Sequence, residues 1–316
     1  MANTRSIAAI RRFDPVESRG EKETGATCRC HPLQTTRLSE RAGRLSVMRD
    51  TPMTSSRRGD LLFNGLAHAV LVARDHRGRA REAWLLRKSD QKTLASVMLG
   101  RRKRVVPGDR RRLSRTALND LQALLDYSQL DGRTAVPEPA GQPEHIQRLM
   151  RQLGIDANDL AGYRPPRSAE PGRLLMTGRD LYGRPLWLEP ESSRAWRRMQ
   201  ESANAAGIAL HAVSGYRSAD YQATLIARKR ANGQSLAEIL RVSALPGHSE
   251  HHLGTTLDLH DGTGPALEER FEQTAAFEWL RGNARAFGFV LSYPRDNPWG
   301  ISYEPWHWRY VGSRVD

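Results

Sequence analysis

The chain has 316 residues, 39% of them hydrophobic, and a formal net charge of +14. That length suits one large or two modest globular domains, and no stretch approaches the roughly 20 apolar residues of a membrane-spanning helix. Cys28 and Cys30, the only cysteines, are one residue apart, so a disulfide-stapled scaffold is excluded.

In chain order, residues 1–55 are rich in Arg, Ser, Thr and Glu without sustained apolar periodicity, and they are expected to form a disordered leader. The CRCH stretch at 28–31 offers two thiols and His31 but no partner cluster, so it reads as incidental. The first 30 residues lack the apolar core of a secretory signal. Met48 or Met53 is an alternative start, and a start at Met53 would place SSRRGDLL ahead of an apolar run, a loose imitation of a twin-arginine leader that Asn64 and His68 interrupt.

Residues 66–88 hold two apolar runs around Asp75–Gly78 and predict a hairpin. Basic runs follow at 101–104 and 110–112. An amphipathic helix is then predicted near 113–127, with Leu118, Leu121, Leu124 and Leu125 in one stripe, and a second helix near 144–153. Residues 131–143 and 164–172, rich in Pro, Gly and polar groups, read as linkers. The charge concentrates here: residues 51–130 contain 17 basic and 7 acidic side chains, whereas 131–316 contain 22 of each. Such a region can contact nucleic acid, anionic lipid or an acidic wall polymer, or simply be a solvated surface. No recognised nucleic-acid motif accompanies it and aromatics are sparse, so nucleic acid is the weakest of these readings.

Beyond residue 172 the pattern alternates helix and strand. Pro190 opens a helix with Trp196, Met199 and Ala203 on one stripe, a strand follows near 208–213, and helices are predicted over 219–231 and near 272–287, the last before the strand FVLSY. Candidate ligands at strand ends imply an α+β fold rather than an all-parallel sheet.

Two polar clusters carry the chemistry. SEHHLGTTLD at 249–258 and EPWHWRY at 304–310 offer His251, Asp258 and His307 as metal ligands, with Glu304 as a carboxylate able to handle protons. Catalytic zinc takes three such ligands and leaves one position to water. A period of two puts Leu257 and Leu259 on one face of the first strand and Thr256, Asp258 and His260 on the other. In the second, Trp306, Trp308 and Tyr310 oppose His307 and Arg309. Each ligand thus falls opposite the apolar face. His248, His252 and His260 are rivals to His251 on spacing alone, and a lone histidine is more often structural. The helical H-E-x-x-H signature is absent.

Ser249, His251, Gly254 and Asp258 fit an S-x-H-x-x-G-x-x-x-D pattern, Glu304 and His307 fit E-x-x-H, and SGYRSADYQ at 214–222 fits S-x-Y-R-x-x-x-x-Q. In this order and spacing the three motifs resemble the zinc D-alanyl-D-alanine carboxypeptidases of the VanY type, over about residues 188–312. Thr256 and His252 depart from the alanine and glutamine common in relatives, and neither change removes a ligand. The resemblance implies a hedgehog/DD-peptidase fold for 173–316, preceded by the leader (1–55) and a small mixed basic region (56–165). It implies one zinc ion held by His251, Asp258 and His307, with Glu304 as catalytic base. Arg217 would bind the substrate's terminal carboxylate or oxyanion, and Gln222 and Ser249 would complete that pocket. The expected reaction removes terminal D-Ala from peptidoglycan stem peptides without a covalent acyl-enzyme. The alternatives are a D-Ala-D-Ala dipeptidase, an endolysin-like L-alanyl-D-glutamate peptidase, or a zinc-containing binding module without hydrolysis. That substrate places the protein in the cell envelope or periplasm, with a cytoplasmic alternative because no convincing signal peptide precedes it.

Overall fold

Two antiparallel sheets organise the chain in a computed structural model that describes residues 60–99, 104–107, 113–128, 136–156 and 158–312. The expected leader, with Cys28, Cys30, Met48 and Met53, and the basic residues 101–103 and 110–112 lie outside the described residues.

The first sheet holds β1 (Leu61–Asn64), β2 (His68–Arg74), β3 (Ala80–Arg87), β4 (Thr93–Met98), β5 (Arg104–Pro107), β6 (Arg173–Arg179) and β7 (Pro185–Leu188), in the order β5-β4-β3-β2-β1-β6-β7. The predicted β2–β3 hairpin forms because Asp75 Oδ1 accepts the amides of Arg77 and Arg79, both at 2.9 Å, and Gly78 supplies φ +75°. Helix α1 (Arg115–Ser128) covers one sheet face, where Leu121, Leu124 and Leu125 pack with Phe63, Val70, Val72 and Leu85. Leu118, expected in the same stripe, is 47% exposed, because it sits on the side of α1 turned from the sheet. On the opposite face, Leu62, Leu71, Leu174, Met176 and Trp187 form a second apolar layer that Tyr216 joins.

This sheet crosses the break expected between the basic region and residue 173. β1 pairs with β6, Leu61 facing Leu175 and Leu62 facing Leu174. Residues 173–188 therefore complete the N-terminal sheet.

The second sheet contains β8 (His211–Ser214), β9 (Thr256–His260), β10 (Phe289–Leu291) and β11 (His307–Tyr310), ordered β10-β11-β9-β8. Its apolar face buries Leu257, Leu259, Phe289 and Trp308 against helix α3 (Pro190–Ala205), through Trp196, Met199 and Ala203. α3 starts at Pro190 because Glu189 caps it, accepting the amides of Glu191 and Ser192. α2 (Gln142–Gln152), α4 (Ala219–Ala231) and α5 (Leu236–Leu240) meet through Met150, Ile226 and Ile239. The single helix expected over 272–287 is divided. Thr274, with extended backbone, ends a 3-10 turn (Glu269–Gln273) and caps α6 (Ala275–Asn283) by accepting from Phe277 N. A further 3-10 turn at Ala284–Phe287 then leads to β10. Helices on two antiparallel sheets make an α+β fold.

Candidate active site

Strand register brings the two clusters together. Asp258 in β9 pairs with His307 in β11 on one side and with Ser214 in β8 on the other. His251 comes from a 3-10 turn (Glu250–Leu253) that ends at Gly254. Gly254 has φ +67°, and a Cβ there would stand 2.6 Å from Leu174 Cδ2, so only glycine fits both the backbone and the space. Its carbonyl accepts from Glu189 N and Ser192 Oγ, tying the turn to the start of α3.

His251, Asp258 and His307 are all buried, and one donor atom from each lies within 4.8 Å of the others. His251 Nε2 is 3.3 Å from Asp258 Oδ2, and His307 Nδ1 is 3.2 Å from Asp258 Oδ1 and 3.4 Å from Glu304 Oε2. The remaining heteroatoms fix the tautomers. His251 Nδ1 donates to Gly215 O at 2.8 Å, because a carbonyl only accepts, and its Nε2 lone pair is thereby aimed at Asp258. His307 Nε2 donates to the buried Glu250 Oε2 at 3.0 Å, while Arg309 Nη1 donates to the other Glu250 oxygen at 2.9 Å. Ser214 Oγ donates to Asp258 Oδ2.

A nitrogen lone pair facing two carboxylates is repulsive unless a cation or proton lies between them. The titration behaviour expresses this. Burial lowers the pKa of His307, but Asp258 and Glu250 reverse the effect and draw it up to about 10. Burial likewise opposes the charge on Asp258, yet His251 and His307 hold it well below the ordinary carboxylate range. Burial pushes His251 down, with Asp258 opposing. Two imidazoles and a carboxylate, each held by a second hydrogen bond, match the donor set and outer support of a zinc site.

The rival histidines are spent elsewhere. His252 Nδ1 donates to Arg217 O at 2.6 Å and His248 Nδ1 to Pro165 O at 2.8 Å, while His260 contacts Pro265 O and Gly262 N.

Glu304 is 14% exposed, and burial pushes its carboxyl up to about 7 against the pull of His307. Arg217 is half-buried and donates from Nη1 to Gln222 Oε1 at 3.0 Å. Gln222, read from sequence as a substrate contact, is buried and gives its amide nitrogen to Ala244 O at 2.7 Å, so its carboxamide is engaged within the protein at both ends. Ser249 is buried at the start of the 3-10 turn.

Sequence reasoning missed Glu250 and Lys229, and gave no role to Ser214 although it opens the S-x-Y-R motif. Lys229 lies two turns beyond Gln222 on α4 and donates from Nζ to Ser243 Oγ at 2.7 Å, and its pKa is lowered by burial and then by Arg217, with Glu304 opposing. Helical periodicity from Gln222 to Lys229 was the available signal; Glu250 occupies an unspecified motif position and gave none. A separate, largely apolar cavity of about 470 Å³ lies between α2 and residues 155–169. It contains none of the seven sequence-predicted site residues, and we assign the chemistry to the polar centre, where charge and donors converge.

A family model described as VanY, D-alanyl-D-alanine carboxypeptidase, matches residues 185–313. YodJ of Bacillus subtilis is 36% identical over 60% of this chain and 67% of its own length. The bifunctional D-Ala-D-Ala dipeptidase and D-Ala-D-Ala carboxypeptidase VanXYC of Enterococcus gallinarum is 33% identical over 46% of this chain and 77% of its own. A solved structure of the D,D-pentapeptidase VanY from a VanB-type resistance cassette, in complex with Zn(II), is 31% identical over 40% of this chain and 75% of that chain, with a TM-score of 0.34.

Proposed function

The chain belongs to the VanY family of D-alanyl-D-alanine carboxypeptidases, and from that premise we propose that it is a zinc-dependent carboxypeptidase that removes the terminal D-Ala from peptidoglycan stem peptides. The convergence of His251, Asp258 and His307 beside Glu304 supports this reading.

His251 Nε2, Asp258 and His307 Nδ1 are the groups that would hold the zinc. Bound there, the ion supplies Lewis-acid polarisation of a carbonyl and of a water. Glu304, buried beside the centre, takes the proton of the attacking water and passes it to the leaving amine. Arg217 presents a planar fork of donors to the substrate's C-terminal carboxylate, and Gln222 holds that fork in place. Ser249, at the head of the metal-binding turn, closes the pocket with a neutral hydroxyl. Glu250 orients His307 through Nε2, and Ser214 orients Asp258. No side chain need become acylated.

Such a substrate places the work in the cell envelope. Among the described residues no helix is long and apolar enough to cross a membrane. The excess positive charge of residues 51–130 suits a salt-sensitive contact with anionic wall polymer or membrane surface, and sedimentation with purified sacculi across a salt series measures it.

The deciding experiment incubates the protein with a muropeptide pentapeptide and, separately, with the dipeptide D-Ala-D-Ala, and identifies products by mass. Loss of one alanine residue from the pentapeptide, with the dipeptide intact, is the expected result. Cleavage of the dipeptide alone would refute the carboxypeptidase reading.

A further inference from the structure

The Arg217 loop is held from outside the segment that the family match covers. Lys88 follows β3 and is 6% exposed, and its ammonium lies 2.5 Å from Oε2 of Glu170, itself 4% exposed. Lys88 Nζ also donates to Gly65 O at 2.9 Å. Both charged residues precede the matched span of 185–313.

Contacts run from this pair to both flanks of Arg217. On one side the Tyr216 hydroxyl donates to Glu170 Oε2 and lies 3.3 Å from Asn64 Oδ1. On the other, Ala219 N donates to Glu170 Oε1 at 2.9 Å and Ser218 Oγ to the Lys88 carbonyl at 3.3 Å. Thr224 Oγ1 extends the seam to Ser89 O at 3.2 Å. Arg217's own backbone meets the metal-binding turn, its amide donating to His251 O at 3.1 Å and its carbonyl accepting from His252 Nδ1.

A buried ion pair adds little net stability, because desolvation offsets the attraction, and apolar residues of similar volume would fill the space as well. Such residues would not aim a carboxylate at the Tyr216 hydroxyl and the Ala219 amide, whereas the Lys88 backbone carbonyl serves Ser218 whatever the side chain. We propose that Lys88 is a positioning residue for Arg217: with Glu170 it fixes the 216–219 loop so that the guanidinium meets the substrate's terminal carboxylate. The N-terminal sheet thereby becomes part of the substrate site. This inference rests on the anion-binding role proposed for Arg217.

The test uses the full, zinc-loaded chain carrying Glu304→Gln, so that ligands bind without turnover. Calorimetry compares N-acetyl-D-Ala-D-Ala with its C-terminal amide. Lys88→Met with Glu170→Leu removes both charges and strands neither. It is expected to weaken the acid by about ten-fold or more, the scale of cost for a displaced positioning group, and to leave the amide unchanged. Lys88→Arg with Glu170 intact should retain most of the affinity. On an Arg217→Ala background the paired substitution should change nothing further. Equal weakening of acid and amide, unchanged acid affinity, or full additivity with Arg217→Ala would overturn the proposal. Should the paired variant not fold, Glu170→Gln, which keeps one acceptor oxygen for the Ala219 amide and turns an NH2 group toward the Tyr216 hydroxyl, is expected to show the same selectivity, and equal loss of both ligands again overturns it. Hydrogen exchange gives a readout that needs no ligand: peptides spanning 214–222 should exchange faster in the variant while those of β9 and β11 do not. Unchanged protection there refutes the positioning role, whereas a parent protein that binds neither ligand refutes the carboxypeptidase reading instead.

Discussion

Individual side chains at the centre make separable predictions. Glu304→Gln keeps the shape and the donor set but removes the base, so zinc content should be retained while kcat falls by about 10²- to 10⁴-fold; a variant that turns over normally would exclude Glu304 as the proton carrier. Glu250→Gln leaves every proposed ligand in place but weakens the acceptor behind His307 Nε2. Zinc affinity, measured by competition with a chromophoric chelator, should drop about 10- to 100-fold, and an unchanged constant would remove Glu250 from the support of the site. These two carboxylates also show where sequence reading ends. Glu304 lies in an E-x-x-H spacing and was nominated from sequence. Glu250 stands beside His251 in the chain, but its partners His307 and Arg309 come from β11, and no local pattern links positions that only strand pairing brings together.

At the scale of elements, the chain announced what its own periodicity encodes. Alternation in β9 and β11 separated Leu257, Leu259 and Trp308 from Asp258 and His307, and the structure has those apolar residues in one core. Helix α4 falls on the predicted span, because Ser218 caps it by accepting from Tyr221 N. The division of the helix expected over 272–287 was harder to read, since Thr274 serves as stop and as cap within one residue. The turn at Gly254 makes the sharpest prediction here. Gly254→Ala must strain a left-handed backbone and displace Leu174, so unfolding in urea should show a loss of about 1–3 kcal/mol. A midpoint equal to that of the parent would mean the turn relaxes without cost.

For the molecule as a whole, the decisive contact was invisible in sequence. β1 and β6 are joined across more than a hundred residues, and an apolar run carries no mark of which distant strand it will pair with. Residues 173–188 were grouped with the catalytic segment, yet they finish a sheet begun at residue 61. Expressing residues 173–316 alone would bare the β6 edge and the apolar layer around Leu174 and Met176. Aggregated protein is therefore expected by size-exclusion chromatography, and a soluble monomer would contradict this dependence. Metal removal should act globally too: dialysis against a chelator is expected to abolish turnover and lower Tm, zinc to restore both, and β-lactams to have no effect. The adjacent histidines of the 3-10 turn point to different tasks, His251 to the metal donors and His252 to the Arg217 carbonyl. On the roles proposed for His251 and Arg217, occupancy of the metal and capture of a carboxylate are expected to be linked, and linkage is reciprocal: a ligand ending in a free carboxylate should raise the protein's affinity for zinc by the same factor that zinc raises its affinity for the ligand.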